Sequence, residues 1–446
     1  MSDRASIEEF PPAGGPEISP EAQKRGMRLV YGGQSAGIIL MILIAQPGFG
    51  VLFVKHLGGS DTAAMVLGAV LGVVRLVQIP ASLRVHPASG KRFLLTCQLI
   101  YAAIMLVAAA LPSLMGWGAA TAWAFVLAAF AGLTISNLGS TFWFPILHDV
   151  VPADRRGRFF GTMRAAWSTS SLLATIVAGF FLGRNPSTWQ FQVVILMGVG
   201  GVLLRNALFH GLPTADAALS KQDDFSDWRK HTSAMLSRRD VLSLCGYLGA
   251  RGLCVGFLLH PLVLYIKSIG FADGDNILIN AARLLGTIPA FLLAGQLVDR
   301  LGTKRVLISS HIVMCLLCVG VAATGLLPRS AVWIVMPAML IVAGMMQAAG
   351  SVAATTHLFF LAPDRGRAFF LCLSNVVIVF GAALAPLIAG SILPAVPEGW
   401  TLPAGPVSLN IYQVMLASAG VGLLALLGAS AALENIRPRQ GLDHDG

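Results

Sequence analysis

The chain has 446 residues, of which 56% are hydrophobic and only 12% are charged, and its formal net charge is +10. Its mean hydropathy is +0.75, and so few charges could not cover the surface of a water-soluble protein of this length. The composition therefore excludes a soluble globular protein, and we expect the lipid bilayer to be the solvent.

The first segment, residues 1–26, is predicted to be a disordered cytoplasmic tail. Residues 1–24 contain five acidic residues and four prolines, a composition that cannot bury enough apolar surface to fold. A signal peptide would need a basic start followed directly by an apolar core, and this segment does not have that pattern.

Apolar runs long enough to cross a bilayer as helices recur along the rest of the chain, since about 20 residues suffice. A polar stretch at 212–240 separates the sixth run from the seventh. We therefore predict an all-α membrane protein with two pseudo-symmetric six-helix bundles, 27–211 and 241–434, a cytoplasmic linker at 212–240 and a cytoplasmic tail at 435–446. The twelve runs lie near 29–54, 61–84, 93–111, 119–147, 158–182, 190–211, 241–267, 275–298, 305–326, 331–361, 367–392 and 408–433.

The basic residues alternate with these spans. With the N-terminus inside, 22 of the 31 Lys and Arg residues fall in inward segments, 4 in outward loops and 5 within spans. The positive-inside rule then places both termini in the cytoplasm, and we expect a plasma (bacterial inner) membrane protein. The positive charge thus reflects topology, and nucleic acid is not an expected partner. The expected partners are the bilayer and a small-molecule substrate, and the protein is expected to be a monomer.

Two phrases, HDVVPADRRGRFF and HLFFLAPDRGRAFF, resemble each other at an offset of 209 residues. Arg156 and Arg158 of the first phrase match Arg365 and Arg367 of the second. The phrases follow the fourth and the tenth spans, which are equivalent places in two six-helix halves. They indicate a duplicated unit.

A third phrase, GQLVDRLGTKRVL, stands at the inner end of the eighth span. Asp299 lies there where a helix reaches water, so its carboxylate can cap a neighbouring helix N-terminus or bridge to arginines. This phrase, the twelve spans and the two halves resemble the major facilitator superfamily, over about residues 27–434. The residues that match the signature loop of that family are Gly295, Asp299, Arg300, Gly302, Lys304 and Arg305.

The resemblance implies a secondary transporter in which this loop helps to close the cytoplasmic side. Arg156, Arg158, Arg365 and Arg367 are the expected partners of the loop in that cytoplasmic gate. The alternative is that these charges only set the topology. The matching segment of the first half, IPASLRVHPASGKRF, lacks the acidic residue, so the gate is expected to depend on the second copy.

Three arginines lie deep in predicted spans, whereas all 21 acidic residues lie in tails, loops or at span ends. These are Arg75, Arg251 and Arg283. An arginine at the bilayer centre costs about 2.5–3.5 kcal/mol even on the mildest scale, so it must face protein, water or an anion. The resemblance implies that their spans, the second, seventh and eighth, line the central cavity. An anionic substrate would satisfy the guanidinium groups; the alternative is that each arginine caps backbone carbonyls or packs against its neighbours.

Neutral polar residues and one histidine complete the set of candidates. His260 is a possible proton site because histidine titrates near neutrality, although a lone histidine is more often structural. Proton symport, anion exchange and passive movement therefore stay open. The neutral candidates for substrate binding are Gln34, Gln46, Asn137, Asn280, Gln347 and Asn375.

The leading hypothesis is secondary transport of a small organic or inorganic anion. Efflux of amphipathic, drug-like compounds is an alternative, supported by Trp143, Phe144, Met163, Trp167 and Met345; a sensor or scaffold that does not transport is another. We expect no enzymatic activity and no cofactor, since the chain has no phosphate-cradling glycine loop after a strand and no HExxH or GxSxG motif. All six cysteines lie in apolar runs, and no metal site is expected.

Overall fold

The predicted all-α membrane fold is confirmed. In the part of the chain that the structure describes, twelve helices are long and apolar enough to cross a membrane. Most of the linker 212–240 and most of the tail 435–446 lie outside that part. Their assignment as a cytoplasmic linker and a cytoplasmic tail therefore stays a prediction. The computed structural model describes residues 19–84, 90–152, 156–213, 233, 237–362, 367–397, 399–404, 407–430 and 433–436.

The first bundle supplies six spans, two of which are interrupted. Span one consists of α1 and α2, and span two of α3 and α4, with a 3-10 turn at Arg75–Val77 between them. The helices are α1 (Pro20–Ala45), α2 (Phe49–His56), α3 (Asp61–Val74), α4 (Gln78–Arg84), α5 (Gly90–Met115), α6 (Ala119–Ser140), α7 (Trp143–Val150), α8 (Arg156–Leu182) and α9 (Thr188–His210).

The second bundle supplies the other six spans, and a small hairpin precedes the last of them. Its strands, β1 (Thr401–Ala404) and β2 (Val407–Asn410), pair antiparallel with Thr401 opposite Asn410. The sequence did not predict this hairpin. The helices are α10 (Arg239–Ser268), α11 (Asp273–Leu301), α12 (Thr303–Ala323), α13 (Arg329–Leu361), α14 (Arg367–Ile392) and α15 (Ile411–Ala429).

The start and the break of the first span both follow from local sequence. The Ser19 hydroxyl accepts from the Ala22 N–H at 3.3 Å, and Pro20 occupies the first turn, where its missing N–H costs nothing. The helix therefore begins within residues 1–26, which were predicted to be disordered as a whole. It ends before Gln46, and Gly48, at a φ of +136° that only glycine adopts readily, allows α2 to resume the crossing.

The apolar core of the first bundle continues into the second, since Val263 and Ile277 belong to the same buried cluster as Phe53. In the first, Phe53 of α2 lies between Phe125 of α6 and Phe191 of α9, with ring centroids 4.8 and 5.1 Å apart. In the second, fully buried residues such as Leu258 and Met336 form an equivalent cluster. The aromatic contacts hold α2 in place after the break in span one.

Two helix pairs join the bundles: α8 packs along α11, and α3 along α14. Glycines allow this close approach, since a Cβ on Gly72 would overlap Ala383, and one on Gly179 would lie 2.8 Å from Leu278. We call the face on which α1 begins the inner face and the opposite face the outer face. The site described next lies between the bundles.

Candidate functional site

Arg283 of α11 lies where the two bundles meet, and only 7% of it is exposed. Its Nη1 donates to Oε1 of Gln347 at 3.0 Å, and its Nη2 donates to Oε1 of Gln46 at 3.1 Å. Gln347 belongs to the second bundle and Gln46 to the break in span one. Because Gly344 has no side chain, α13 comes close enough to α11 for the Gln347 bond to form. One guanidinium thus ties the bundles together.

The charge of Arg283 is met only by neutral groups. The ion pairs among the described residues are Lys55–Asp61, Arg238–Asp240 and Lys267–Asp273, all near helix ends. The Nε of Arg283 is buried and has no hydrogen-bond partner. A buried cation without a counter-charge costs several kcal/mol, even after the surroundings relax. The positive charge of Arg283 therefore has no counter-charge among the residues that the structure describes.

A small cavity of about 20 Å³ adjoins this guanidinium. Gln46 and Thr175 line it from the first bundle, and Asn280 and Arg283 line it from the second. The amide of Asn280 donates to the carbonyl and the side-chain oxygen of Asn276, each at 2.9 Å. The cavity has room for about one water molecule.

Arg75 also lies at the junction of the bundles, on the α3 side. It is half-buried and begins the 3-10 turn in span two, which packs against α14. Just beyond it, Gln78 donates to Asn137 of α6 at 3.3 Å. Asn137 in turn donates to the Leu133 carbonyl at 2.8 Å, so it is engaged within the first bundle.

Arg251 lies in a different environment, inside the second bundle. Its Nη2 is 3.5 Å from the Ser310 hydroxyl of α12, and Gly350 of α13 lies against the guanidinium. The helix α12 forms the ninth span, which the family resemblance had placed at the periphery. The three predicted arginines therefore do not form one cluster, since Arg251 is turned toward the partners of its own bundle.

Arg164 of α8 is a residue that the sequence did not single out. In the structure its guanidinium carbon lies 5.7 Å from the ring centroid of Phe291 on α11, a cation–π contact that crosses between the bundles. The contact depends on the packing of α8 against α11, which no local sequence pattern specifies.

The remaining neutral candidates are spread over several environments. Gln34 of α1 is buried, with 8% of it exposed. Asn375 of α14 is exposed. It lies eight residues, or about 12 Å, from the inner end of that helix. An exposed amide at that depth is favourable only where water reaches it. Asn375 therefore indicates a water-filled space that reaches in from the inner face.

His260 of α10 lies where that helix crosses α3. Its Nδ1–H donates to the Gly256 carbonyl at 3.3 Å. The ring also lies directly against Gly68 of α3, where no Cβ would fit. His260 is thus held between the bundles, and its role as a proton site stays a prediction.

The outer face is closed by bonds between the bundles that the sequence did not reveal. Tyr412 of α15 donates to the Asp61 carboxylate at 2.8 Å, and Lys55 pairs with the same carboxylate at 2.7 Å. The Thr62 hydroxyl donates to the Gly390 carbonyl at 2.9 Å. We call these five residues the outer clasp. In addition, the Gly274 N–H donates to the Gly183 carbonyl at 2.9 Å, joining α11 to α8.

The signature loop between α11 and α12 turns sharply at Gly302, whose φ is +85°. The chain near the C-terminus caps the N–H groups that follow: Ile436 O accepts from Thr303 N at 2.9 Å, and Asn435 Oδ1 accepts from Lys304 N at 3.1 Å. The Thr303 hydroxyl is also 3.1 Å from Nδ1 of His357. Asn435 therefore caps the N-terminus of α12, and the predicted role of Asp299 stays a prediction.

The predicted gate charges on the inner face are described only in part. Asp299 and Lys304 take part in interactions, Arg300 and Arg305 are exposed, and Gly295 has open space beside it. Arg365 lies outside the described residues, and so do the side chains of Arg156, Arg158 and Arg367. Their pairing with the signature loop stays a prediction.

Two of the residues that favoured drug efflux, Trp143 and Met163, lie in the core of the first bundle, and Trp167 packs against the same cluster. Trp143 stacks on Phe209 with ring centroids 5.3 Å apart, and Met163 is buried in the same cluster. The Phe144 side chain lies outside the described residues. Trp143 and Met163 therefore serve the packing of the bundle.

No protein-family model and no curated protein matches the chain, but solved structures do. A mutant form of the nucleoside transporter NupG has 16% identity and a TM-score of 0.62, covering 92% of this chain and 98% of its own. A D-xylose–proton symporter has 15% identity and a TM-score of 0.62, covering 93% and 97%. A bacterial homologue of the iron transporter ferroportin, in an inward-facing state, has 13% identity and a TM-score of 0.65, covering 93% and 99%. At these identities the likeness shows a shared fold.

Proposed function

The chain has the fold of the major facilitator superfamily, and we propose that it is a secondary transporter that moves a small organic or inorganic anion by alternating access. The similar solved structures are those of transporters for a nucleoside, a sugar and iron. Two bundles that rock about a central site are the means by which such a fold carries a solute across a membrane. The substrate class rests on the arginine site.

The observation that carries the anion proposal is the environment of Arg283. It is buried between the bundles and bonded to the amide oxygens of Gln46 and Gln347. It lies ten residues from Asp273, or about 15 Å from the outer end of α11. A carboxylate, phosphate or sulfonate would provide the counter-charge that the described neighbours lack, and would bind the guanidinium fork with two parallel hydrogen bonds.

Arg75 and Arg164 add positive potential to the same junction. The turn that begins with Arg75 packs against α14, and Arg164 contacts Phe291 of α11. A cleft lined by one sign of charge between apolar walls concentrates ions of the opposite sign. Because the outer clasp closes the outer face, the anion would reach Arg283 from the inner face in this conformation.

The test is a thermal-stability screen of the purified protein with organic acids, phosphates, sulfonates and hydrophobic cations. We expect at least one anion class to raise the melting temperature of the wild type and of Arg251→Gln, and to leave that of Arg283→Gln unchanged. Arg251→Gln is the matched control, since it removes a half-buried arginine of the same bundle away from the junction. Stabilisation by hydrophobic cations alone would refute the anion proposal.

Binding by itself does not separate a transporter from a sensor. Uptake of the stabilising anion into proteoliposomes is therefore the second measurement. We expect flux in the wild type that is lost in Arg283→Gln. Tight binding with no flux in either direction would favour a sensor or scaffold.

A further inference from the structure

A groove with a basic rim lies at the inner end of the first bundle, far from the junction of the bundles. It runs between α1 and α9 and has a volume of about 420 Å³, within the range of about 300–1,000 Å³ typical of small-molecule sites. Lys24, Arg25 and Arg28 of α1 line its rim. The groove is open to lipid and water, and it is separate from the site around Arg283.

The three cations of the rim are free to meet a ligand. Lys24, Arg25 and Arg28 are all exposed, and none forms a hydrogen bond or an ion pair with any residue that the structure describes. Spacings of three and four residues put Lys24 or Arg25 beside Arg28 on the helix surface. Glu21 is the acidic residue that lines the groove, so the lining has a net charge of +2.

The wall of the groove changes from charged to apolar within one helical turn. Directly after Arg28, the lining consists of Leu29 and Gly32 of α1 and Leu208 of α9. Gly32 is exposed, and a Cβ placed on it would be 3.4 Å from Leu208 Cδ1, so the wall is shallow there. Leu29 is also where the first apolar span was predicted to begin. The groove therefore crosses the boundary between headgroups and hydrocarbon.

We propose that this groove binds an anionic phospholipid. The phosphate lies against Lys24, Arg25 and Arg28, and an acyl chain lies along Gly32 and Leu208. Basic pockets between membrane helices at the headgroup level recognise lipids of this kind. A water-soluble phosphate would leave the apolar wall unused, whereas a phospholipid satisfies both parts of the groove.

The test measures lipid binding to the full chain by native mass spectrometry and by thermal shift. The lipids are phosphatidylglycerol, cardiolipin and phosphatidylcholine, with glycerol 3-phosphate as the soluble probe. We expect the two anionic lipids to bind and stabilise the wild type. We expect the triple variant Lys24→Gln, Arg25→Gln, Arg28→Gln to bind them about 10- to 100-fold more weakly, as the loss of three interfacial charges implies.

Two further variants keep the proposal falsifiable if the triple variant folds poorly. Gly32→Leu fills the apolar wall and leaves every charge in place, so it should also weaken lipid binding. The matched control is Arg92→Gln with Arg239→Gln, two exposed arginines on the same face but outside the groove. The control should bind lipid as the wild type does.

Several results would overturn the proposal. These are equal binding of phosphatidylcholine, equal stabilisation by glycerol 3-phosphate, or unchanged lipid binding by both groove variants. Lipid binding that appears only after residues 2–18 are deleted would assign the groove to that acidic segment instead. Anion transport does not enter this test, so the lipid site and the proposed function can fail separately.

Discussion

Arg283 and Arg251 are both arginines in membrane-spanning helices of the second bundle. Arg283 is buried and Arg251 is half-buried, and they differ in what surrounds them. Arg283 reaches across to Gln46 of the first bundle and lines a cavity there. Arg251 reaches Ser310 within its own bundle, at 3.5 Å. Of these two arginines, Arg283 is the one that bonds across the junction of the bundles. The face of the helix, more than depth in the membrane, decides which arginine can act on a substrate.

Among the variants that test this comparison of the two arginines, Arg283→Gln is expected to have the largest effect on anion affinity and transport. A hydrogen bond to a charged group contributes about 1.5–3 kcal/mol, so we expect anion affinity and transport to fall about 10- to 100-fold. Proteoliposome uptake at several anion concentrations measures both. Uptake that stays within twofold of the wild type would remove Arg283 from the site.

Arg251→Met tests the other half of the comparison. A charge without a counter-charge costs free energy to remove from water, and an apolar side chain of similar length does not carry this cost. We expect an equal or higher melting temperature and an anion affinity within about twofold of the wild type. A loss of affinity as large as that of Arg283→Gln would show that both arginines bind the substrate.

The contribution to anion affinity of the two amide groups that bond to Arg283 can be measured separately from the contribution of its charge. In Gln347→Leu one of the two hydrogen bonds to the guanidinium is lost, and we expect anion affinity to fall about 5- to 10-fold, in line with about 1–1.5 kcal/mol for one such bond. Ser310→Ala is the corresponding change beside Arg251 and should have no effect on affinity. Isothermal titration of a binding anion measures the affinity of each variant. Equal losses of affinity in Gln347→Leu and Ser310→Ala would contradict the distinction between the surroundings of Arg283 and those of Arg251.

A smaller effect is expected for Arg164→Gln. Its cation–π contact with Phe291 contributes about 0.5–1 kcal/mol, and its charge attracts anions to the cleft without bonding to Arg283. We predict a KM raised about 2- to 5-fold with an unchanged maximal rate, and a difference from the wild type that shrinks at high salt. A change in maximal rate alone would show that Arg164 acts on the bundle movement and not on anion capture.

The fold could be predicted from the sequence in considerable detail. The apolar runs, the alternation of basic residues and the duplicated RGR phrases fix the number of spans and the two halves. They do so because the requirement for about 20 apolar residues per crossing is local and strong. The break at Gln46 and the hairpin at Thr401–Asn410 were not predicted, since they depend on short stretches that carry a weak signal.

The site was predicted only in part. The sequence singled out Arg283, Gln46 and Gln347, and the structure brings these three together. It also grouped Arg251 with them, which the structure does not do, and it gave Arg164 no role at the junction. Helical spacing shows how deep an arginine lies, but it does not show which neighbouring helix the arginine faces.

By itself, then, the sequence determined the membrane as solvent, the twelve crossings and the presence of unpaired positive charge within them, because each of these follows from composition along one helix. Only the tertiary structure decided that Arg283 binds across the bundles, that Arg251 stays within one, and that Asp61 and Tyr412 close the outer face. Tyr412 and Asp61 are 351 residues apart in the chain. Contacts of this kind arise from the packing of distant helices, which no local pattern specifies.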